Sequence, residues 1–310
     1  MVLPVSEHEP QVVTVSLNPA VDCVFETPAP DAPPSRHRLL HRIPAGKGVN
    51  VSRVLAAFGV PSLATGFIGR DNRGLYDEFF DGNLVRDGFL ALPGTTRENR
   101  TVLLAGGGEQ SHDRRTGLTV RRADLLELQS QLAATLYPDD LVVFSGSLPP
   151  GVSAGDFADL LQAVAACGAR VAVDTSGAGL DALKKGTFRV LAPNVAELAG
   201  LAGRDIPDTD ALCTAARGLV QKAAFVLVSA GEDGAFLFSG RTHWHAVVAA
   251  ADCPRPRNTV GAGDVLLAVF IAALDEGRDP PDCLATAVAA ATASTATDAP
   301  AAVDWPLFET

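Results

Sequence analysis

A glycine turn that runs into an apolar stretch is the most informative feature of this sequence. The turn is Thr259-Val260-Gly261-Ala262-Gly263-Asp264, and residues 265–270 after it are all apolar. Glycines let a backbone approach a ligand closely, and the N–H groups of a helix start favour negative charge. We therefore predict that the amides of Ala262, Gly263 and Asp264 face a transferring phosphate, and that the Asp264 carboxylate takes a proton from an attacking alcohol. Helix capping by Asp264 is the structural alternative.

A second glycine turn, Ala45-Gly46-Lys47-Gly48-Val49-Asn50, lies in the first sixth of the chain. Lys47 offers a cation for a phosphate or sugar oxygen, and the Asn50 amide can both donate and accept hydrogen bonds. The spacing differs from that of the Walker A loop, and the Gly261 turn lacks the third glycine of the dinucleotide-binding fingerprint. The Lys47 turn is therefore a candidate contact for a sugar or a phosphate.

The composition of the chain limits its class. With 310 residues, of which 47% are hydrophobic, the chain can build one large α/β domain or two smaller ones. Its net charge of −11 argues against nonspecific binding to nucleic acid or to an anionic membrane. We therefore expect a small-molecule ligand, with no nucleic-acid and no membrane partner.

Three further features bear on the compartment of the protein. The longest apolar run, Val265 to Leu274, is too short to span a bilayer. Met1 to Pro10 lack the basic start and the apolar core of a signal peptide. The five cysteines are scattered without a C-x-x-C pair, so we expect reduced thiols rather than disulfides or a zinc site. Together these features predict a soluble, cytoplasmic protein.

An anionic ligand of such an acidic chain requires a local basic cluster. The sequence offers two clusters, and the alternative for both is a solvated face. The first is Arg36, Arg38, Arg42, Lys47 and Arg53, and the second is Arg97, Arg100, Arg114 and Arg115.

Short apolar segments alternate with helical patterns along most of the chain. The segments that we predict to be buried strands are 11–17, 141–144, 169–173, 189–191 and 225–228. The helical patterns are 49–58, 123–136, 154–166, 195–202 and 209–222. This alternation predicts βαβ units, and so an α/β fold whose mostly parallel sheet is covered by helices on both faces. Ligands of such sheets bind at the carboxyl ends of the strands.

Two segments, at about 22–43 and 97–115, break this alternation. Apolar and polar residues alternate there over short spans, which is typical of strands exposed on one side. We predict that these segments form a small sheet or lid on the main body. The proline-rich stretch from Pro28 to Pro34 is predicted to be a turn rather than a linker.

Six motifs follow one another in an order that is typical of one enzyme family. They are Leu-Asn-Pro-Ala-Val-Asp at 17–22, Gly-Lys-Gly-Val-Asn at 46–50, Thr-Arg-Glu-Asn at 96–99, Ser-Gly-Ser-Leu-Pro-Pro-Gly at 145–151, Pro-Asn-x-x-Glu at 193–197 and Gly-Ala-Gly-Asp at 261–264. Together they resemble the ribokinase-like (pfkB-type) carbohydrate kinases, and within them the phosphosugar branch. The resemblance runs from about Val12 to about Thr297. It implies a single kinase domain over residues 1–310, with a doubly wound central sheet and a small β-sheet lid.

The resemblance also implies an activity and its catalytic centre. Kinases of this family use ATP with Mg²⁺ and phosphorylate a primary hydroxyl. Asp264 matches the general base, and the amides from Gly261 through Ala262 and Gly263 match the hole for the γ-phosphate. The implied substrate is a hexose phosphate, with fructose 1-phosphate expected and tagatose 6-phosphate or fructose 6-phosphate as alternatives. A phosphosugar-binding regulatory protein with weak catalysis is the alternative from another class.

On the substrate side, the resemblance assigns four kinds of contact. Asp22 matches a carboxylate that holds two sugar hydroxyls, with a turn aspartate as the alternative. Arg97 matches the arginine that holds the phosphate already on the sugar, with a surface arginine as the alternative. Ser147 and the turn after it match the segment that closes on this phosphate. Gly46 and Lys47 are expected beside the same anion.

On the nucleotide side, the resemblance assigns a loop and a metal site. The loop positions expected beside ATP are Ser229, Gly231, Gly234 and Thr259. Asn194 and Glu197, three residues apart on one helical face, would bind ATP and hold magnesium through water. The alternatives are a helix cap for Asn194 and a solvent-facing charge for Glu197. The alanine-rich helix at 284–297 either forms the adenine wall or packs in the core.

The sequence departs from the family pattern at three positions. Ala192 stands where a lysine is common, Val265 where a serine is common, and Arg100 where an apolar residue is usual. The first change implies weaker ATP binding, and the last implies a displaced strand or an extra charge. A second phosphate contact on the lid has three open candidates, which are His112, Arg114 and Arg115. Exposed lid strands that pair between subunits make a homodimer plausible.

Overall fold

The computed structural model of this chain describes residues 11–29, 31–105 and 109–308. Met1 to Pro10, where the sequence predicts no signal peptide, lie outside the described residues. Within those ranges, no helix combines the length and the apolar character that crossing a membrane requires.

The described residues form strands and helices that alternate along most of the chain. The strands are β1 (Val12–Ser16), β2 (Ala20–Thr27), β3 (Arg38–Ala45), β4 (Ser62–Gly69), β5 (Val85–Leu92), β6 (Glu98–Leu104), β7 (Glu109–Asp113), β8 (Leu141–Ser145), β9 (Arg170–Asp174), β10 (Phe188–Leu191), β11 (Ala223–Ser229), β12 (Ala235–Ser239) and β13 (Thr242–Ala246). The helices are α1 (Lys47–Ala57), α2 (Gly74–Phe80), α3 (Arg122–Thr135), α4 (Ala154–Ala166), α5 (Gly179–Ala182), α6 (Val195–Ala202), α7 (Thr209–Leu219), α8 (Ala262–Asp275), α9 (Pro280–Ser294) and α10 (Trp305–Phe308).

The large sheet has the strand order β13-β12-β11-β10-β9-β8-β1-β4-β5. Neighbours from β11 to β5 run parallel, whereas β12 and β13 join antiparallel at one edge. The chain starts at β1, moves outward to β4 and β5, and returns on the other side of β1 with β8. The sheet is therefore doubly wound, and its switch point lies between β1 and β8. Loops that diverge at such a point leave a crevice for a ligand.

Apolar side chains cover both faces of this sheet. All five residues of β1 are buried, as expected for an interior strand of a parallel sheet. Helices α3 to α7 pack on one face, and α1, α8 and α9 pack on the other. The predicted α/β fold class, with a mostly parallel sheet between layers of helices, is confirmed.

Helix α8 brings the two glycine turns of the sequence together. Residues 264–273 of α8 are all buried, because the helix is covered by the sheet, by α1 and by α9. Helix α1 lies close against β1, since a Cβ on Gly48 would fall 2.5 Å from Ser16 Oγ. The starts of α1 and α8 therefore lie side by side at the carboxyl end of the sheet.

A second sheet has the strand order β3-β2-β6-β7. Strands β2 and β6 are parallel, and β3 and β7 flank them antiparallel. These strands lie at or near the two segments, 22–43 and 97–115, for which extended strands are predicted. Because β2 follows β1 and β3 leads directly into α1, this sheet stands beside the carboxyl end of the large one.

Arg100 does not interrupt the pairing of the lid sheet. It lies level with Cys23 in an unbroken β2–β6 register. Its guanidinium lies over the ring of Phe25, 4.5 Å from the centroid, and donates to His37 Nδ1 at 2.8 Å. The strand is therefore in place, and the charge is held within the lid.

The last described helix packs against the end of α1. The rings of Trp305 and Phe308 in α10 lie 5.0 Å and 5.6 Å from the ring of Phe58, centroid to centroid. Phe58 is the cap residue that directly follows the last residue of α1, Ala57. The last described helix therefore covers the carboxyl end of α1.

Sequence patterns missed some elements and misplaced some ends. Strands β4, β5, β12 and β13 and helix α2 were not predicted. Glycines at 66 and 69 interrupt the apolar pattern of β4. Helix α9 begins at Pro280 rather than at Leu284, because Asp279 and the two prolines after it form its first turn.

Candidate active site

A cavity of about 450 Å³ lies at the carboxyl ends of the central strands. Loops after β1, β8, β9, β10 and β11 form its floor, the lid sheet forms one wall, and the start of α8 forms another. The cavity therefore occupies the crevice at the switch point of the sheet.

Most of the predicted site residues line this cavity. Those that do are Asp22, Gly46, Lys47, Asn50, Arg97, Ser147, Asn194, Glu197, Ser229, Thr259, Gly261, Gly263 and Asp264. Ala262, Gly231 and Gly234 are not among the lining residues. Three residues to which the sequence analysis gave no role, Asn18, Asn99 and Asp174, also line it.

Asp264 lies in the first turn of α8 and is buried. Its Oδ2 accepts a hydrogen bond from Asn50 Nδ2 at 2.7 Å, and no described residue donates to Oδ1. Burial raises its pKa to about 7, although the nearby Lys47 ammonium opposes the rise. A carboxyl with a pKa near neutrality and an uncommitted oxygen suits a general base. The capping alternative lacks support, because the side chain makes no cap bond to its own helix.

The backbone before Asp264 presents unpaired donors. Gly261 adopts the left-handed conformation with φ 86°, and a Cβ there would fall 2.8 Å from the amide nitrogen of Ala301. The Ala262 amide donates to Thr259 O at 3.3 Å, but those of Gly263 and Asp264 find no acceptor among the described residues. Such amides at a helix start attract an anion.

Lys47 and Asp174 form an ion pair in the floor of the cavity. Lys47 Nζ donates to Asp174 Oδ1 at 2.7 Å. Burial disfavours the charged lysine, yet the carboxylates of Asp174, Asp264 and Glu197 together raise its pKa above the ordinary value. Lys47 is therefore a fixed cation between three carboxylates. The signal for Asp174 was a carboxylate at the end of the predicted strand 169–173.

Asp22 and Asn99 form a second buried pair on the lid wall. Asn99 Nδ2 donates to Asp22 Oδ1 at 2.8 Å, and burial raises the pKa of Asp22. The Asn99 Oδ1 atom is buried without a partner among the described residues. Asn99 lines the cavity and ends the Thr-Arg-Glu-Asn motif, but sequence reasoning gave it no role.

Arg97 holds backbone carbonyls as well as lining the cavity. Its three nitrogens donate to the carbonyls of Pro19, Arg115 and Asn18 at 3.2, 3.0 and 2.9 Å. Burial lowers its pKa, and the neighbouring charge of Arg114 lowers it further. Two guanidinium groups so close together favour an anion between them.

Two of the three candidates for a second phosphate contact line the cavity. His112 and Arg114 line the cavity, whereas Arg115 contributes its carbonyl to Arg97 and is not in the lining. The first basic cluster also divides. Arg38 and Arg42 pair with Glu26 and Glu98 on the lid surface, so the five residues do not form one anion site.

Asn50 and Ser147 are partly committed to the protein. Asn50 donates to Asp264, and its Oδ1 accepts from Arg53 at 2.8 Å, so one hydrogen and one lone pair remain for a sugar hydroxyl. Ser147 Oγ accepts from Asn18 Nδ2 at 3.0 Å and keeps its own hydrogen. Asn18 belongs to the motif at 17–22, but the sequence gave it no role of its own.

Asn194 and Glu197 close the start of α6 with reciprocal caps. Asn194 Oδ1 accepts from the Glu197 amide, and Glu197 Oε2 accepts from the Asn194 amide, both at 2.9 Å. Glu197 lines the cavity rather than facing solvent, and burial raises its pKa. Glu197 keeps Oε1 and Asn194 a lone pair, which is enough to accept from water on a magnesium ion.

The loop after β11 is shaped by its glycines. Ser229 lines the cavity and forms a β-bridge with Asn194. Gly234 has φ 75°, and a Cβ there would fall 2.1 Å from Ala246 O, so the backbone requires glycine. Gly231 has φ 61° with open space around it. Helix α9 packs in the core, and no described residue of it lines this cavity.

Comparisons with known proteins identify the family of this chain. Residues 12–305 match the family model of pfkB family carbohydrate kinases. The 1-phosphofructokinase of Rhodobacter capsulatus is 35% identical over 87% of this chain and 85% of its own length. That of Xanthomonas campestris is 33% identical over 90% and 89%. Phosphofructokinase-2 from Escherichia coli, solved with potassium, superposes with a TM-score of 0.87 at 27% identity over 97% of both chains. The chain therefore belongs to the pfkB family of carbohydrate kinases.

Proposed function

We propose that this protein is a 1-phosphofructokinase, which transfers the γ-phosphate of ATP to the primary 6-hydroxyl of fructose 1-phosphate. The product is fructose 1,6-bisphosphate. The proposal rests on the chemistry of the cavity and on the names of relatives that align with most of the chain.

One observation carries the proposal. A buried carboxylate with a pKa near 7 and a free Oδ1 lies beside backbone amides that lack acceptors among the described residues. Asp264 would accept the proton of the 6-hydroxyl through Oδ1. The amides of Gly263 and Asp264, with those of Gly261 and Ala262, would hold the charge that develops on the transferred group. Donors placed in this way typically lower the activation barrier by about 3 kcal/mol each.

The basic end of the cavity supports a phosphorylated sugar. Arg97 and Arg114 are close enough to lower the pKa of Arg97, and Lys47 supplies a third cation. A phosphate dianion bound between the two arginines would relieve the repulsion between their charges, which a free sugar would not do. Asp22 would accept from two sugar hydroxyls, and Ser147 would donate to the phosphate. We propose Arg114 as the second phosphate contact on the lid.

The residues present also fit ATP and Mg²⁺. Ser229, Thr259 and the α6 start line the cavity beside the α8 amides, and Glu197 Oε1 and Asn194 would hold magnesium through water. When bound, the metal neutralises phosphate charge, while this chain orients the acceptor and takes its proton. The loop at Gly231 and Gly234 would flank the nucleotide.

A panel of acceptors tests the proposal. ADP release is measured with fructose 1-phosphate, fructose 6-phosphate, tagatose 6-phosphate and unphosphorylated fructose. We expect the highest kcat/KM with fructose 1-phosphate. A higher kcat/KM with either 6-phosphate would assign the protein to the corresponding kinase instead. Equal values for fructose and its phosphate would contradict the role of the basic end.

The same assay decides between an enzyme and a phosphosugar sensor. Tight binding of fructose 1-phosphate without ADP release would identify a sensor. Ala192 and Val265 remove a lysine and a serine that the family commonly has, but Asp264 and its glycine turn remain. These retained groups favour the enzyme.

We also propose a single kinase domain over residues 1–310 that associates as a homodimer through its lid. The lid is an open sheet with edge strands β3 and β7, and Leu39 on β3 is 49% exposed. Open edges with exposed apolar side chains favour pairing with a second copy. Light scattering on the purified protein measures the mass, and a monomer at assay concentration would contradict this proposal.

A further inference from the structure

Arg53 lies one turn after Asn50 on helix α1 and is held on three sides. Its Nη1 donates to Asn50 Oδ1 at 2.8 Å, and its Nη2 donates to the carbonyl of Pro44 in β3. The guanidinium lies over the ring of Phe79, 5.1 Å from the centroid. Arg53 is not among the residues that line the cavity. Its hydrogen-bonded route to the site therefore runs through Asn50.

The orientation of the Asn50 amide decides what Asp264 meets. The two ends of an amide have nearly the same shape, so the neighbours determine which end faces which partner. An arginine can only donate hydrogen bonds, so Arg53 selects Oδ1. The Nδ2 group is then left to donate to Asp264 Oδ2, at 2.7 Å.

This selection matters most once Asp264 carries a proton. A protonated carboxyl donates a hydrogen bond, and an unrestrained amide would turn its oxygen towards it and stabilise the acid form. Because Arg53 engages Oδ1, Asn50 remains a donor in both protonation states. A donor that faces a carboxyl favours its ionised form, which is the form that a base requires.

We propose that Arg53 is a positioning residue for phosphoryl transfer, because it locks the Asn50 amide in the orientation that keeps Asp264 ionised. This inference deepens the proposed function and rests on the role of Asp264 as base. A purely structural Arg53, which only ties α1 to β3, would not affect the ionisation of Asp264.

Other charges also face Asp264. Lys47 on α1 favours its ionised form, whereas Asp174 on β9 and Asp22 on β2 oppose it. Arg53 itself interacts with the charges of Asp22 and Asp264. Loss of the Arg53 charge would therefore raise the pKa of Asp264 even without a change in Asn50. The experiment has to separate the charge from the amide orientation.

The first set of variants is Arg53→Met, Arg53→Gln and Arg53→Lys, with Arg189→Met as a matched control. Arg189 also lies over a ring, 4.9 Å from the centroid of Phe225, and is outside the cavity lining. Thermal unfolding and the pH dependence of kcat and of both KM values are measured for each. Because every variant uses the same substrates, titration of the sugar phosphate cancels in the comparison.

We expect Arg53→Met and Arg53→Gln to lower kcat about tenfold near neutral pH and to move its acid limb up by about one pH unit. Both KM values should stay within about threefold of wild type, and Arg53→Lys should recover part of the activity. Arg189→Met should leave the limb in place. An unmoved acid limb in whichever of the Met and Gln variants folds would overturn the proposal.

A second background separates the amide from the charge. In Asn50→Leu there is no amide to orient, so adding Arg53→Met should shift the acid limb only by the direct effect of the lost charge, which is smaller than the shift with Asn50 present. An equal shift in both backgrounds would overturn the proposal in favour of a direct charge effect. Asp264→Asn, measured alongside, keeps the two hypotheses apart. Retained turnover in that variant overturns the base role, whereas lost turnover with an unmoved limb in Arg53→Met overturns the inference alone.

Discussion

The proposed acceptor side and the proposed nucleotide side of the cavity are built differently. On the acceptor side, the residues Asp22, Asn50, Asp174 and Asp264 are only 3% to 4% exposed. Each is bonded to another side chain of the site, so its position is set by the folded protein.

On the nucleotide side, the predicted contacts are exposed or lie in loops. Asn194, Gly231 and Thr259 are exposed, and Glu197 is half-buried. The bonds of the Asn194 and Glu197 side chains go to backbone amides of their own helix rather than to other side chains of the site. A bound nucleotide would therefore supply much of the order on this side.

This difference predicts which kinetic constant each substitution should change. Groups fixed before the substrate arrives need no reorganisation during the reaction, so changes at the reacting atoms should lower kcat, whereas changes to the cations proposed to hold the sugar phosphate should raise its KM. Groups that the ligand orders contribute mainly to binding, so changes to them should raise the KM for ATP. Five variants test this division.

Asp264→Asn should have the largest effect. Removing the base should lower kcat about a thousandfold, with both KM values changed only a few-fold, because the amide keeps the shape of the carboxyl. Steady-state kinetics measure this. Turnover within tenfold of wild type would end the assignment of the acceptor side as the catalytic side.

The same variant should be more stable than wild type at alkaline pH. The pKa of Asp264 is raised to about 7 by burial, so the folded protein binds its proton more tightly than the unfolded chain. The carboxylate therefore destabilises the fold increasingly as the pH rises from about 4 to 7, and Asn avoids this. Urea unfolding at pH 8 should show a gain on the order of 1–3 kcal/mol that disappears near pH 4.

Gly263→Ala should lower kcat about a hundredfold without loss of stability. A Cβ at Gly263 meets no atom within 4 Å, and alanine favours a helix by about 1 kcal/mol, but the methyl group would stand before the unpaired amides. Gly218→Ala in α7 is the matched control, because its Cβ also meets nothing. A Gly263 variant that unfolds more easily than the control would show that glycine is needed for the fold.

Lys47→Met should raise the KM for the sugar phosphate about thirtyfold and move the acid limb of kcat/KM to higher pH. The ammonium favours the ionised form of Asp264, so its loss raises that pKa further above 7. Lys184→Met is the control, since Lys184 forms an exposed pair with Asp181 at 2.6 Å. A limb that moves to lower pH would contradict the electrostatic account.

Arg97→Ala should raise the KM for fructose 1-phosphate about tenfold and lower the melting temperature as well. The stability effect follows from the three backbone carbonyls that Arg97 holds. Comparing fructose 1-phosphate with unphosphorylated fructose isolates the phosphate contact. If the preference for the phosphorylated sugar is unchanged, Arg97 supports the loop and does not bind phosphate.

Gly231→Ala should have the smallest effect, about a threefold rise in the KM for ATP. The residue has φ 61°, which costs alanine roughly 1 kcal/mol, and it has open space around it. Gly234→Ala should instead impair folding, because its Cβ would collide with Ala246 O. A larger change in the KM for the sugar phosphate than in the KM for ATP would contradict the placement of Gly231 on the nucleotide side.

Local signals in the sequence account for much of the site. Lys47 and Asp264 each belong to a glycine turn before an apolar helix, and such turns at strand ends point into the crevice of a doubly wound sheet. The starts of the helices at 154–166 and 195–202 were also predictable, because each helix begins with a capping box.

Other features depend on distant parts of the chain. Asp174 enters the site because β9 lies in register with β8, which places Asp174 beside Ser145. This register between two distant segments leaves no local pattern in the sequence. Arg53 belongs to a run of basic residues, and only packing shows that it turns inward to Asn50 while Arg42 pairs on the lid surface. The unpredicted β4 pairs with β1 and β5, and its glycines make room for the backbone of Ser16 and of residues 94–96.

The contact between α10 and Phe58 has a consequence for biosynthesis. The ribosome makes Lys47 early, but Asp264 and the aromatic rings of α10, which cover the carboxyl end of α1, follow much later in the chain. A nascent chain therefore contains Lys47 long before it contains Asp264 and can turn over a sugar. Turnover should therefore begin only after residues 305–308 have been made, and shorter chains should show no activity.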